Sequence, residues 1–322
     1  DTVENTKRST LNKIEMSSTS VISPFRNDAL QNKVAIITGG GSGICYEITK
    51  QLLLHGCSVA IICGRRESFL QHASNALSNL TGKVCTFRVC DVRDYDSCAA
   101  VVKFAIDRFQ RLDIVVNGAA GNFLAEAKTL SSKGFRTVME IDAIGTYNMC
   151  HASYQALTQS KNNDGSGSGG VILNISATLQ YGATWYQSHA SAAKSAVDSL
   201  TRSLALEWGQ YNIRVNGIAP GPIADTPGMT KLSPGVDTKD INDMVAEGIP
   251  LGKLGKAFDI GMAAVYLCAD GSGRNITGDV LVVDGGEWLY RPPMVPQEMV
   301  GELSRKVEKK SRDQAPKFVS KL

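Results

Sequence analysis

Lys33–Cys45 reads KVAIITGGGSGIC. An apolar run of strand length, Lys33–Thr38, meets a cluster of glycines, and Gly43–His55 then has the length of a helix. Strand, glycine turn and helix open a βαβ unit, and the chain repeats the pattern. Apolar runs at Cys57–Cys63, Val84–Cys90, Leu112–Asn117 and Val171–Ser176 alternate with helix-length segments near 66–79, 95–110 and 131–158. Continuous rather than alternating apolar strands belong to a sheet covered on both faces, which is the parallel arrangement. Val101, Val102, Ala105, Ile106 and Phe109 recur at helical spacing and suit a helix lying on one such face. Past Gly182 a helix extends towards Gly209, followed by a strand from Ile213 that ends at Pro220, a helix at Lys256–Cys268 and a strand at Asp279–Val283.

The expected fold class is therefore α/β. It is a doubly wound, Rossmann-type sandwich with a mostly parallel sheet flanked by helices, in a single domain at 31–290 with terminal extensions. Residues 1–30 read as a flexible extension, of which 1–15 precede Met16 and read as upstream or vector-derived sequence. The stretch 221–250, rich in Pro and Gly, is longer than an ordinary connection and lies beyond a strand end, which makes it a candidate substrate lid. Lys161–Gly170, KNNDGSGSGG, reads as an exposed flexible connection. Residues 291–322 form a basic extension ending in Ser320, Lys321 and Leu322. A terminal SKL is a peroxisomal address, so the expected location is the peroxisome matrix and the expected partner an import receptor.

Composition narrows the function classes. The 322 residues, 43% of them apolar, suffice for a core that hides roughly 70–75% of the unfolded surface. A net charge of +3 gives no broad attraction to nucleic acid, although 301–322 carry seven Lys/Arg against three Asp/Glu. No apolar run is long enough for a membrane span. The eight cysteines include no C-x-x-C pair, so they read as small buried hydrophobes, and no metal site is expected.

The glycine turn also carries chemistry. Gly39 and Gly41 permit a tight turn and close approach of a phosphate, and Gly43 lets the helix start pack near the sheet. A dinucleotide phosphate would then meet the backbone N–H groups of Ser42, Gly43 and Ile44 at the positive end of that helix. After the second strand stand Arg65 and Arg66, where an NAD-selective site would present a carboxylate to the ribose. Guanidinium pairs with a 2′-phosphate, so NADP(H) is the expected cofactor. Asp91 and Val92 follow the third strand, and Asn117, Gly118 and Ala119 follow the fourth; all converge on one sheet edge, where ligands of such folds bind.

TGGGSGI (38–44), DVR (91–93), AAGNF (119–123), EIDAIGTYN (140–148), NISATL (174–179), HASAAK (189–194) and NGIAPGPI (216–223) together resemble the short-chain dehydrogenase/reductase family over nearly all of 31–290. Within it they are most similar to the peroxisomal 2,4-dienoyl-CoA reductases. The family pattern places a Tyr four residues before its Lys, but Ala190 stands at that distance from Lys194. The family Ser corresponds to Ala177 and its helix Asn to Asp142. A methyl group cannot exchange a proton with a carbonyl oxygen, so ordinary alcohol or ketone chemistry is disfavoured.

The dienoyl-CoA branch matches those departures. The resemblance implies that Asp142, Lys194 and Asn122 are catalytic and that Lys194, Pro220, Gly221 and Ile223 add to the cofactor site. Asn122, Phe123, Arg93 and Arg65 would contact an unsaturated fatty acyl-CoA. The implied reaction is NADPH-dependent reduction of 2,4-dienoyl-CoA to trans-3-enoyl-CoA, an auxiliary step of β-oxidation, by a homo-oligomer, a tetramer by family habit. An aspartate is ordinarily ionised near neutral pH, so Asp142 either works through a water or must itself hold a proton, with Tyr186 as the rival donor if its loop folds inward. Tyr181, Ser188 and His189 lie near the same helix entrance, and Cys45 threatens to crowd the helix against the sheet. The alternatives are another enoyl-CoA or 3-oxoacyl-CoA reductase, or a catalytically weak protein that binds acyl-CoA or NADPH.

Overall fold

The computed structural model describes residues 23–160, 169–232 and 238–314. Its centre is one sheet of seven strands: β1 (Val34–Thr38), β2 (Val59–Gly64), β3 (Val84–Val89), β4 (Ile114–Asn117), β5 (Val171–Ile175), β6 (Arg214–Pro220) and β7 (Val280–Val283). All pair in parallel, in the order β3-β2-β1-β4-β5-β6-β7. Helices α1 (Gly43–Leu54), α2 (Glu67–Thr81), α3 (Tyr95–Phe109), α4 (Ser132–Met139), α5 (Gly145–Thr158) and α6 (Ser188–Trp208) make the connections in the first two thirds. They are followed by α7 (Pro227–Leu232), α8 (Thr238–Ala246), α9 (Ala257–Cys268), α10 (Asp270–Gly273) and α11 (Gln297–Gln314).

Every residue of β1 is buried, and the period of two along a strand divides its side chains between two cores. Ala35 and Ile37 join Ile48 and Leu52 of α1 and Ile260 and Ala264 of α9. Val34 and Ile36 join Val101 and Val102 of α3 and Met149 of α5 on the other face. Each such large aliphatic side chain contributes about 1.5–3 kcal/mol on burial, which is why apolar runs rather than strand propensity locate the sheet. Helix starts are fixed locally: the Asp94 carboxylate accepts the Asp96 N–H ahead of α3, and the Ser131 hydroxyl accepts the Gly134 N–H ahead of α4. The cysteines are free and buried, as their apolar settings suggest.

Three stretches differ from the expectation. The single helix expected near 131–158 is divided, because Glu140–Ile144 form a π-helical turn between α4 and α5. The C-terminal extension, read only as a basic segment, is helical over α11, whose described side chains are almost all exposed. Its i,i+4 pairs Glu302–Lys306 and Glu308–Arg312 support a helix that buries little. The excursion 221–250 carries α7 and α8, while 233–237 within it lie outside the described residues, as do 1–22, the insert residues 161–168 and the terminal SKL. Among the described residues, no helix is long and apolar enough to cross a membrane.

β1 lies between β2 and β4, so successive connections leave it in opposite directions along the sheet. Their divergence opens a crevice past the C-terminal ends of these strands.

Candidate active site

That crevice holds a cleft of about 640 Å³. Gly39, Gly41, Ser42, Gly43, Ile44 and Cys45 form one wall, with Arg65, Arg66, Asp91 and Val92 along the side of β2 and β3. Gly118, Ala119, Asn122 and Lys194 close it from β4 and α6. Gly39 sits at φ +71, and a Cβ there would lie 2.8 Å from the Gly118 carbonyl oxygen, so the turn can approach β4 only without a side chain. Ser42 is the N-cap of α1, yet its hydroxyl makes no capping bond, and the first turn contains no acidic residue. The leading N–H groups of α1 thus remain available to an anion in the cleft.

Cys45 does not crowd the helix. Its side chain occupies space that Gly118 leaves open, since a Cβ at 118 would fall 2.0 Å from the Cys45 sulfur. Burial pushes the Cys45 thiol up to about 12, which leaves it neutral and makes its contribution one of bulk.

The polar residues around the cleft separate into engaged and available groups. Among the described residues Arg65 and Arg66 pair with no carboxylate; the Arg66 guanidinium lies over the Phe69 ring, 4.3 Å from its centroid. Asp91 is held by Arg93, Nη2 to Oδ2 at 2.5 Å, and that hydrogen bond is the main reason its carboxyl lies below the usual range. Arg93 itself is not on the cleft wall. Asn117 was expected at the cofactor, but its amide turns into the protein and donates to Asn174 Oδ1 at 2.9 Å and to the Cys150 sulfur. Pro220, Gly221 and Ile223 likewise lie off the wall, which Thr226, Pro227 and Gly228 complete at the start of α7. The latter three escape sequence reasoning because only the fold brings α7 over the glycine turn.

Behind the inner end, the π-helical turn holds Asp142, 1% exposed and itself off the cleft wall, against Lys194, which lines it. Asp142 Oδ1 accepts the Gly121 N–H at 2.7 Å, and Oδ2 lies 3.1 Å from Lys194 Nζ. Lys194 also donates to the Ile175 carbonyl at 2.9 Å. An ammonium has three donors, so one remains for the cleft that Lys194 lines. Asn122 Nδ2 donates to Gln187 Oε1 at 2.6 Å, and its second amide proton is left over. Ala190 is buried one turn from Lys194 and carries no hydroxyl. Ser176, on the cleft wall beside Ala177, donates to Asp198, which also accepts from Gln180.

The aromatic candidates are placed elsewhere. Tyr186 is 50% exposed, at φ +62, and packs on Trp185. Tyr181 stacks edge-on against Trp288, and burial pushes its hydroxyl up to about 12. Phe123 is off the cleft wall, with its ring 4.3 Å from that of His189.

A model described as Enoyl-(Acyl carrier protein) reductase, of the short-chain type, matches residues 39–287. The chain is 53% identical over 292 residues, covering 90% of it and 96% of the relative, to a protein of Arabidopsis thaliana named peroxisomal 2,4-dienoyl-CoA reductase [(3E)-enoyl-CoA-producing]. The chain belongs to the short-chain dehydrogenase/reductase family. A relative of the same name from Pongo abelii is 42% identical, over 83% of this chain and 88% of that one. A solved short chain dehydrogenase from Bacillus anthracis superposes with a TM-score of 0.70 at 32% identity, covering 82% of this chain and all of its own.

A nicotinamide cofactor goes with short-chain dehydrogenase/reductase membership, and the residues present fit one. The side-chain-free turn at Gly39, the uncapped start of α1 and the remaining Lys194 donor lie along one cleft. They would hold, in that order, the pyrophosphate and the nicotinamide ribose.

Proposed function

We propose that the chain is an NADPH-dependent 2,4-dienoyl-CoA reductase producing trans-3-enoyl-CoA. The observation that carries this reading is the buried Asp142–Lys194 pair at the cleft's inner end, beside Ala190 where the family's usual Tyr would stand. Arg65 and Arg66, unpaired with any carboxylate among the described residues, support a 2′-phosphate and hence NADPH. Arg65 could also serve the phosphates of CoA. Arg93 is less suited to that task because it is committed to Asp91.

NADPH, when bound, supplies the hydride that C5 of the dienoyl thioester accepts. Negative charge then moves through the conjugated chain towards C2 and the thioester oxygen. Asn122 meets it with the amide proton that Gln187 leaves free, a preorganised donor whose bond strengthens as charge grows. Gln187 fixes the orientation of that amide in advance. Lys194, held by the Ile175 carbonyl and paired with Asp142, would hold the nicotinamide ribose with a remaining donor. Asp142 accepts the Gly121 N–H at Oδ1 and faces the Lys194 ammonium with Oδ2, so the carboxyl group is presented as an acceptor. The proton for C2 accordingly comes from a water that Asp142 orients. Tyr186, exposed and turned towards Trp185, is a poor rival.

The named relatives are peroxisomal, and the terminal Ser320, Lys321 and Leu322 extend that location to this chain, in the matrix, through an import receptor. Exposed apolar side chains at Ile144, Tyr147 and Leu206 favour a homo-oligomer, a tetramer by family habit. The test is NADPH oxidation followed spectrophotometrically with 2,4-dienoyl-CoA, 2-enoyl-CoA and 3-oxoacyl-CoA, with product identification. Turnover with the dienoyl substrate and a 3-enoyl product are expected. Absence of dienoyl-dependent turnover defeats the reading, and equal catalytic efficiency with NADH defeats its NADPH half.

A further inference from the structure

The Asp142–Lys194–Asn122 group leaves one neighbouring side chain without employment. His189, in the first turn of α6, is 0% exposed, and neither of its ring nitrogens has a hydrogen-bond partner. The ring stacks on Phe123 at 4.3 Å with an interplanar angle of 33°. It lies within the field of Asp142 and beside the Phe123 backbone, both of which favour the protonated ring but are outweighed by burial. Burial lowers its affinity for a proton, so the ring is neutral, with one nitrogen a donor and the other an acceptor. A second buried polar atom without a partner, Asn122 Oδ1, belongs to the residue adjacent to Phe123. Leaving such atoms unsatisfied is costly in any fold, and three of them, one on Asn122 of the cleft wall and two on His189 behind it, mark a place built for a small polar molecule.

We propose that His189 is a positioning residue for the reaction: its imidazole and the Asn122 amide oxygen share with Asp142 the task of holding the water that delivers the proton to C2. This rests on the dienoyl-CoA reading above. In the step, the electron pair of the dienolate forms a new C2–H bond with a proton of that water, whose O–H bonding pair stays on oxygen. The hydroxide left behind takes a proton from solvent, so each turnover consumes one hydride and one solvent proton. The dienolate carries charge at C4 as well as at C2. Protonation at C4 would give the 2-enoyl isomer, so the position of the water decides the product.

The experiment separates polarity from shape at residue 189, using the full-length protein, NADPH and a 2,4-dienoyl-CoA, with products resolved by chromatography and the site of deuterium incorporation read in D2O. His189→Phe keeps an aromatic ring against Phe123 and removes both nitrogens; His189→Gln keeps a donor and an acceptor and removes the ring. The expected result is a loss of kcat on the order of 10² in His189→Phe, as for a misplaced reacting group, with a rising share of 2-enoyl product and KM for NADPH unchanged. His189→Gln should keep most of the turnover and the 3-enoyl product. The proposal is overturned if both variants behave as wild type, if activity follows the ring instead of the polar atoms, or if both lose turnover with the product ratio unchanged. A variant that fails to fold, seen by its melting curve, leaves the product ratio of the other to decide: 2-enoyl from His189→Phe or 3-enoyl from His189→Gln supports the proposal, and the reverse overturns it. If wild-type protein itself shows no dienoyl-dependent turnover, it is the underlying reading that fails.

Discussion

Asp142 illustrates how one side chain acquires a role from three neighbours. The Gly121 N–H and the Lys194 ammonium occupy its two oxygens, and the π-helical turn places it behind the cleft's inner end. Asp142→Asn keeps the shape and an acceptor for Gly121 but removes the charge facing Lys194. We expect turnover to fall by about 10²–10⁴-fold, the usual worth of a positioned proton-transfer group, while NADPH affinity measured by calorimetric titration stays close to wild type. Breaking a buried ion pair also costs about 3–5 kcal/mol of stability, so turnover is to be compared well below the lowered unfolding midpoint. Equal turnover in the two proteins would remove Asp142 from the chemical step. The identity of this residue was legible in EIDAIGTYN; its π-helical setting was not, because the apolar spacing of 131–158 continues across the turn and one extra residue per turn leaves no compositional trace.

Between elements, the approach of α1 to β4 depends on a pair of residues that look unrelated in the sequence. Cys45 puts a sulfur where α1 meets β4, and Gly118 is where that volume goes. A residue seventy positions away becomes a packing partner only once β1 and β4 lie side by side, so sequence reading saw the crowding and missed its relief. Gly118→Ala places a methyl group 2.0 Å from the Cys45 sulfur, an overpacking expected to cost about 1–3 kcal/mol and to weaken NADPH binding by displacing the glycine turn. Cys45→Gly/Gly118→Ala should recover most of both losses, since it moves the volume from one side of the contact to the other, apart from about 1 kcal/mol for glycine within a helix. Urea unfolding and NADPH titration of the two single variants and the double variant check this. Strict additivity of the free energies would show that the two residues are uncoupled.

For the whole molecule, the strands and their parallel class were legible because a parallel sheet buried on both faces must be written as uninterrupted apolar strands. The strand order is set by the crossovers and was not read from the sequence. The insert at 161–170, the lid region and the tails carry no such constraint. The tail read only as a basic segment, although α11 extends from Gln297 to Gln314 with its described side chains almost all exposed. Charge pairs one turn apart sustain that helix, and it contributes little apolar burial to the domain. The catalytic cleft lies elsewhere, at the ends of β1 and β4, and is lined by residues between 39 and 228. Deleting Ser320, Lys321 and Leu322 should abolish import into peroxisomes, seen by fluorescence of a tagged full-length protein, because an import receptor reads an SKL tripeptide. The purified truncated protein should keep its melting temperature and its NADPH-dependent turnover, since the cleft is lined by residues between 39 and 228. Import that persists after the deletion would mean that the address lies elsewhere in the chain, and lost turnover would mean that the tail reaches back to the cleft.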